Sequence, residues 1–415
     1  DRVDAAAHPP KLRSLMKVGQ ALRATDCRPV RLAISREAGR TPAGVPTRKC
    51  LDCGDCVSGC NHQAKHSLDV NYLALAKARG ARLFCGGTVD SIARIRGGWA
   101  VDWYLTSRSV SDVDAGRFRL RCRKVVLAAG VLGSTEILLR SRSDSGLPVS
   151  ARLGTRFSGN GDMIAAAHAQ RDVAQCRADP RRKPGERGVG PTITGLARVP
   201  VRGARPIVLE EFAIPATLAR IFDELVTLQA MAGRMFKPNW RTVRADAEHD
   251  AMSVDPDAMR RTMVYGAMGD DGANGVIEPC MPIRGQADAG RAPFDGQVRI
   301  RWPAGRDAPA YREQIAAIER AHARRAIGGH VIANPLWRPF SMELPFQVSR
   351  GPLTTVHPLG GCAMADNVDE GVVDLHGQVF DVETGGLMAG LAVLDGSIVP
   401  VALGINPALT IAALA

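Results

Sequence analysis

The run Val356-His357-Pro358-Leu359-Gly360-Gly361-Cys362 sets one imidazole in a glycine turn. The proline holds the histidine backbone extended. An imidazole that titrates near neutrality suits removal of a hydroxyl proton while hydride leaves the same carbon. A histidine bonded to backbone is the plainer reading of the same residue. Leu394-Asp395-Gly396-Ser397 and Gly404-Ile405-Asn406-Pro407 form a second constellation. A glycine-flanked acidic turn can meet the polar tail of a cofactor. A helix that starts with proline in its first turn offers free N–H groups to an anion or an electron-rich ring. Asp and Asn also cap turns without any ligand. Glu210-Glu211-Phe212 places a carboxylate in a strand-like apolar setting. If buried, Glu211 would have a raised pKa and could carry a proton; an exposed pair at a strand end fits the sequence equally well.

Cys50-x2-Cys53-x2-Cys56-x3-Cys60 has the spacing of the ferredoxin-type run, with Asn61 where that run has proline. An iron–sulfur cluster is expected ahead of zinc, which usually joins two cysteine pairs across a longer spacer. Thiols packing a turn are the alternative. Ten cysteines in 415 residues, four of them crowded together, favour a metal or redox cluster in a reducing compartment over a disulfide framework. The expected location is therefore cytoplasmic, with a membrane-peripheral one left open.

These groups need elements to hold them. Lys11 to Arg23 has the apolar spacing of an amphipathic helix. Ser67 can cap a helix that Gly80 ends. Arg82–Cys85, Val89–Ile95 and Trp99–Leu105 read as strands, with Gly97-Gly98 as the hairpin turn between the last two. Lys124-Val-Val-Leu-Ala-Ala-Gly130 has no polar face and reads as a buried strand. Val131-Leu-Gly-Ser134 then turns into a helix over Thr135–Arg140. Strand, glycine turn and helix make a nucleotide-fold unit, although any α/β protein can carry one. Residues 151–345 change character. They have long polar intervals, strands near Ile207–Phe212, Thr262–Met268 and Gln297–Trp302, and a helix over Ala310–Arg325, which together suggest an insertion with its own sheet. Gly386–Asp395 reads as a strand arriving at an acidic residue.

A chain of 415 residues exceeds what one core usually serves, so two domains are expected. Hydrophobic residues at 45% and charged residues at 23% describe a globular protein. The net charge of +12 invites nucleic acid, but Lys supplies only eight of the 54 basic residues, the arginines are scattered, and aromatics are 5%. No stacking surface emerges, and nucleic acid is not expected as a partner. No uninterrupted apolar run reaches the about 18 residues of a membrane span. Residue 1 is Asp and the chain stops inside an apolar run, so a fragment is expected.

Taken together, the segments resemble the glucose–methanol–choline oxidoreductase family and, within it, the bacterial cholesterol oxidase branch. The resemblance rests on Lys65-His-Ser-Leu-Asp-Val-Asn-Tyr-Leu73, on Val125-Val-Leu-Ala-Ala-Gly-Val-Leu-Gly-Ser-Thr-Glu-Ile-Leu-Leu139, and on Leu153-Gly154 through Gly159-Asn160-Gly161. It rests most closely on Val356–Cys362 and on Leu394–Pro400 with Gly404–Pro407.

The resemblance implies a mixed α/β fold: part of a Rossmann-like FAD-binding domain carrying an inserted antiparallel-sheet substrate domain. The boundaries it implies are 1–66 for a lead-in and Cys-rich segment, 67–158 and 373–415 for the FAD side, and 159–372 for the substrate side. It implies oxidation of a CH–OH group to a carbonyl on a sterol-like or other bulky apolar alcohol, with hydride passing to FAD.

His357, Asn406 and, less securely aligned, Glu211 would be catalytic. Glu211 would serve a steroid double-bond isomerisation. Val89, Gly130, Asp395, Gly396, Asn406 and Pro407 would contact FAD. The Gly-x-Gly-x-x-Gly strand–turn–helix of the family is absent from the sequence, which puts FAD retention in doubt. An iron–sulfur-linked dehydrogenase that passes electrons to a partner protein, and a non-catalytic fragment, are the competing readings.

Overall fold

A computed structural model describes residues 8–106, 117–183, 188–236, 257–280, 298–302, 309–335 and 354–415. The chain opens with α1 (Pro10–Ala21), β1 (Asp26–Pro29), a small hairpin of β2 (Gly39–Arg40) and β3 (Pro46–Thr47), and α2 (Tyr72–Ala78). Next come β4 (Gly87–Ile95), β5 (Gly98–Leu105), β6 (Arg117–Cys122), β7 (Val125–Leu127) and α3 (Gly130–Ser145). The middle contains β8 (Met163–His168), β9 (Gly195–Val199), β10 (Ile207–Glu211), α4 (Ala216–Phe236), β11 (Met263–Met268), β12 (Val276–Pro279), β13 (Val298–Arg301), α5 (Pro309–His322) and β14 (His330–Ala333). The chain closes with β15 (Gln378–Phe380), β16 (Leu387–Val393) and α6 (Ala408–Leu414). No helix among the described residues is long and apolar enough to cross a membrane.

The elements sort into two compact units, each built from three stretches of chain: 1–82, 162–269 and 309–354 in the first, and 83–161, 270–308 and 355–415 in the second.

The first unit is organised on a six-stranded sheet in the order β1-β9-β10-β11-β8-β14, every pairing antiparallel. The sheet expected of the middle region is there, and it takes its edge strand β1 from near the N-terminus. All five residues of β10 are buried. Because successive side chains point to opposite faces, this strand is covered on both sides. Helix α1 starts with proline in its first turn, where the missing N–H costs nothing, and buries Leu12, Leu15 and Val18. It packs on β9 and β10.

In the second unit β4, β5 and β6 form the expected antiparallel meander. Helix α3 lies against β4, with the Ile92 N–H donating to Ser141 Oγ at 2.8 Å. A second sheet has the order β15-β16-β7. Its β16 and β7 run parallel, with Leu391 opposite Val125 and Val393 opposite Leu127. The core gathers Ile92, Trp99, Leu138, Phe157, Leu359, Val379, Met388, Leu391 and Val393. Each fully buried side chain of this kind is worth about 1.5–3 kcal/mol.

Four local expectations change. Arg82–Cys85 forms no strand, and Leu83 and Phe84 are exposed. The strand after Arg123 is three residues long, and Val126 is 58% exposed where the sequence predicts burial on both faces. Its helix begins at Gly130 rather than Thr135, because Asp395 and Ser134 supply the cap that a local reading places later. Ser67 precedes a 3-10 turn over Leu68–Val70, and α2 proper starts at Tyr72.

Candidate functional site

Parallel strands β7 and β16 end side by side, and the turns beyond their ends set the site. After Leu127 the chain passes exposed Ala128 and Ala129 and enters α3 at Gly130. After Val393 it reaches Asp395 and a 3-10 turn over Gly396–Ile398. Open α/β sheets take their ligands outside the carboxyl ends of parallel strands, where a helix N-terminus meets a loop. Gly130 has φ +77°, a conformation that favours glycine, and a Cβ there would meet nothing within 4 Å. Space beside the backbone is therefore open at the first turn of α3.

Asp395 holds the two strand ends together. One carboxylate oxygen accepts from the Gly130 N–H at 3.0 Å and from the Ser134 hydroxyl at 2.5 Å. The other accepts from the Ser397 N–H at 2.8 Å and hydroxyl at 2.5 Å. Ser134 Oγ also accepts the Ala129 N–H at 3.0 Å. All of these contacts lie within the protein. Asp395 thus shapes the loop that carries Gly396. Ser134 is a member of this group that sequence reasoning missed. Its signal is its place near the start of a helix that comes after a parallel strand.

The His357 loop is tied to the same turn. The Gly360 N–H donates to Gly396 O at 3.1 Å, Cys362 N–H to Ser397 O at 3.0 Å, and Met364 N–H to Ile398 O at 2.9 Å. On its other side Leu359 exchanges two backbone bonds with Ser158, each 2.9 Å. Gly360 has φ +82°, and a Cβ there would lie 1.9 Å from the Arg156 carbonyl oxygen, so only glycine lets the loop sit this deep. The His357 N–H donates to Thr355 Oγ1 at 3.0 Å, and the residue is half-buried. Burial pushes the Cys362 thiol up to about 12, which makes it a packing group rather than a nucleophile. Asn406 and Pro407 lead into α6, whose Ile411 would be 3.1 Å from a Cβ on Gly396. Pro358 O and Val131 close on the same point, each at 3.3 Å. Val89, in β4 opposite Trp103, is half-buried against the same core.

Glu211 belongs to the first unit. Its carboxylate is 3.0 Å from Lys11 Nζ, with both side chains fully buried. It also accepts from the Thr194 N–H at 2.6 Å, from the Thr194 hydroxyl, and from the Gly195 N–H at 2.9 Å. Lys11 is further bonded to Thr192 O and Thr194 Oγ1. Three donors converge on Oε1 and one on Oε2. A buried carboxylate with a cation and three further donors is held as an anchor between α1 and the sheet.

Cys50, Cys53, Cys56 and Cys60 line a cavity of about 180 Å³. Among the described residues, however, no three His, Cys, Asp or Glu groups are arranged to hold a metal ion. Cys50 Sγ accepts the Asp52 N–H and Cys60 Sγ the Ala64 N–H, both at 3.3 Å. Burial raises the Cys50 thiol to about 11 and raises Cys53 as well. The expected iron–sulfur cluster has no support in this geometry.

The fold is mixed α/β, with a helix N-terminus and a loop meeting at the ends of two parallel strands. Two family models described as GMC oxidoreductase match residues 22–157 and 298–415, together more than half of the chain. The chain belongs to the GMC oxidoreductase family. It is 28% identical over 381 residues to a cholesterol oxidase of Acinetobacter baumannii, covering 88% of this chain and 60% of the relative. It is 26% identical over 397 residues to a cholesterol oxidase of Mycobacterium tuberculosis, covering 89% and 58%. The chain therefore spans about 60% of the length of these relatives. The fold matches the crystal structure of pyridoxine 4-oxidase from Mesorbium loti with a TM-score of 0.54 and 14% identity, over all of this chain and 69% of that one.

Proposed function

We propose that the chain is the larger part of an FAD-dependent enzyme that oxidises the CH–OH group of a bulky, apolar, sterol-like alcohol to a carbonyl. The observation that carries this reading is the convergence of the His357 loop, the Asp395–Gly396 turn and the α3 N-terminus on the carboxyl ends of β7 and β16. The opening beside Gly130 fits a flat ring, and exposed Ala128, Ala129, Val126 and Leu409 fit an apolar one. The cholesterol oxidases among the relatives support a sterol-like substrate.

FAD, when bound, would supply a two-electron acceptor for the hydride. Gly130, the Gly396 backbone, Val89, Asn406 and Pro407 would hold it, and Asp395 would act by fixing the turn. His357 would orient the substrate hydroxyl and take its proton as hydride leaves the carbon, so that one alcohol yields one carbonyl, one hydride and one proton. Asn406, at the entrance to α6, would face the reacting ring. Glu211 enters as the partner of Lys11, and no isomerisation step is assigned to it.

The test is flavin reduction by a panel of sterols and long-chain alcohols under anaerobic conditions. In the flavin-loaded protein, His357→Gln should retain flavin and lower the reduction rate about 10²-fold or more. An unchanged rate removes His357 from the mechanism. Failure of any alcohol to bleach bound flavin removes the alcohol reading.

A further inference from the structure

The turn that carries Asn406 is held by one buried side chain. Asn160 is 0% exposed and sits at φ 57° between Gly159 and Gly161. Its Oδ1 accepts the N–H of Leu403 at 2.9 Å and of Gly404 at 2.8 Å, and its Nδ2 donates to Ile405 O at 3.0 Å. Three consecutive residues immediately before Asn406 are therefore fixed by one amide. Asn160 is itself braced. Its N–H donates to Ser158 Oγ at 2.9 Å, and that hydroxyl donates to Asp271 Oδ1 at 2.6 Å. Asp271, 2% exposed, also accepts the Gly159 N–H at 2.8 Å and the Ala273 N–H at 3.2 Å.

We infer that Asn160, braced by Asp271, is the positioning residue that sets Asn406 for the redox step. The inference rests on the proposed role of Asn406 at the reacting ring. Asn160 at positive φ has a plainer explanation, since asparagine tolerates that region and simple turns use it. That explanation requires only the backbone conformation and leaves the amide idle. Here both ends of the amide are spent on residues 403–405, which lie more than 240 positions away in sequence. A side chain used only for its backbone conformation has no reason to match three successive groups. A shift of about 1 Å in a reacting group can cost about 10²-fold in rate, so a clamp this close in sequence to Asn406 acts on rate rather than on binding.

Asn160→Gly separates the two explanations, because glycine accepts the positive φ while removing the clamp. In the flavin-free chain, hydrogen exchange at the Leu403 and Gly404 amides should quicken at least about 10-fold, with Leu391 and Val393 in β16 unchanged. Asn160→Asp keeps the Oδ1 acceptor but sets an oxygen against Ile405 O in place of the Nδ2 donor, so it should restore only part of that protection. In the flavin-loaded protein Asn160→Gly should lower the rate of flavin reduction at saturating alcohol about 10-fold or more, with KM within about twofold. Unchanged exchange at Leu403 and Gly404 overturns the clamp. Quickened exchange with an unchanged reduction rate overturns the positioning role, provided that Asn406→Ala slows reduction. If Asn406→Ala leaves the rate intact, the role of Asn406 falls, and the positioning role falls with it.

Discussion

Asp395 and Ser134 meet at 2.5 Å, joining the turn after β16 to the second turn of α3 across 261 residues of sequence. The same carboxylate oxygen takes the Gly130 N–H, so one acid caps the helix from a distant strand. Asp395→Ala leaves three buried donors without an acceptor and should destabilise the second unit by about 2–4 kcal/mol. Ser134→Ala should cost about 1–2 kcal/mol. Denaturant unfolding followed by circular dichroism measures both, and equal effects from the two variants would contradict the hub role of Asp395.

Lys11 and Glu211 pair in the interior of the first unit. Removing one partner strands the other charge, so Lys11→Met should destabilise by about 3–5 kcal/mol. Lys11→Met combined with Glu211→Gln should recover a large part of that loss, since a neutral amide oxygen still accepts from Thr194 or Gly195. A double variant as unstable as Lys11→Met alone would show that the pair does not couple.

His322 gives the first unit a pH dependence. Its Nδ1 faces the Gly328 carbonyl at 2.5 Å and must carry the proton there, which leaves Nε2 to accept the Tyr265 hydroxyl at 2.7 Å. Burial lowers its pKa from 6.5 to about 4. Between these values the unfolded chain binds the proton and the folded one does not, so stability is full above pH 6.5 and falls as pH drops toward 4. The loss should approach about 3 kcal/mol. His322→Gln should flatten this part of a stability–pH profile, and a profile that keeps its full slope would exclude His322 as the source.

Cys176 and Cys362 are fully enclosed, and burial raises both thiols to about 12. Cys85 is exposed. Iodoacetamide on the native protein at neutral pH, read by peptide mass spectrometry, should modify Cys85 within minutes and spare Cys176 and Cys362 until denaturant is added. Early labelling of Cys362 would mean that the His357 loop opens readily.

Much of this arrangement is legible in the sequence. Turn glycines around His357, the strand leading to Asp395 and the Gly97-Gly98 hairpin all obey local rules, and each formed. The less legible parts are long-range. No local pattern pairs Lys11 with Glu211, or assigns the Gly130 cap to an acid in another strand. Leu83 and Phe84 carry a strand-like signal, yet they stay outside any strand and exposed, because an apolar run alone sets neither register nor burial. The cysteine run is a reading from spacing alone. Its spacing fits a cluster, but spacing fixes only sequence distance, and among the described residues no three metal-holding groups come together. Asn160 reads only as part of a turn, because its partners lie too far along the chain for any motif to include them.

The strand order of the first sheet also dictates when it can form. β1 is made near residue 26 but pairs only with β9 near residue 195, and the opposite edge waits for β14 at residue 330. β1 is therefore made more than 160 residues before the strand that it pairs with in this sheet. Pairings this distant in sequence are slow to close and leave apolar surface exposed in the interval. Nascent chains paused before β9 should be the ones that chaperones hold longest.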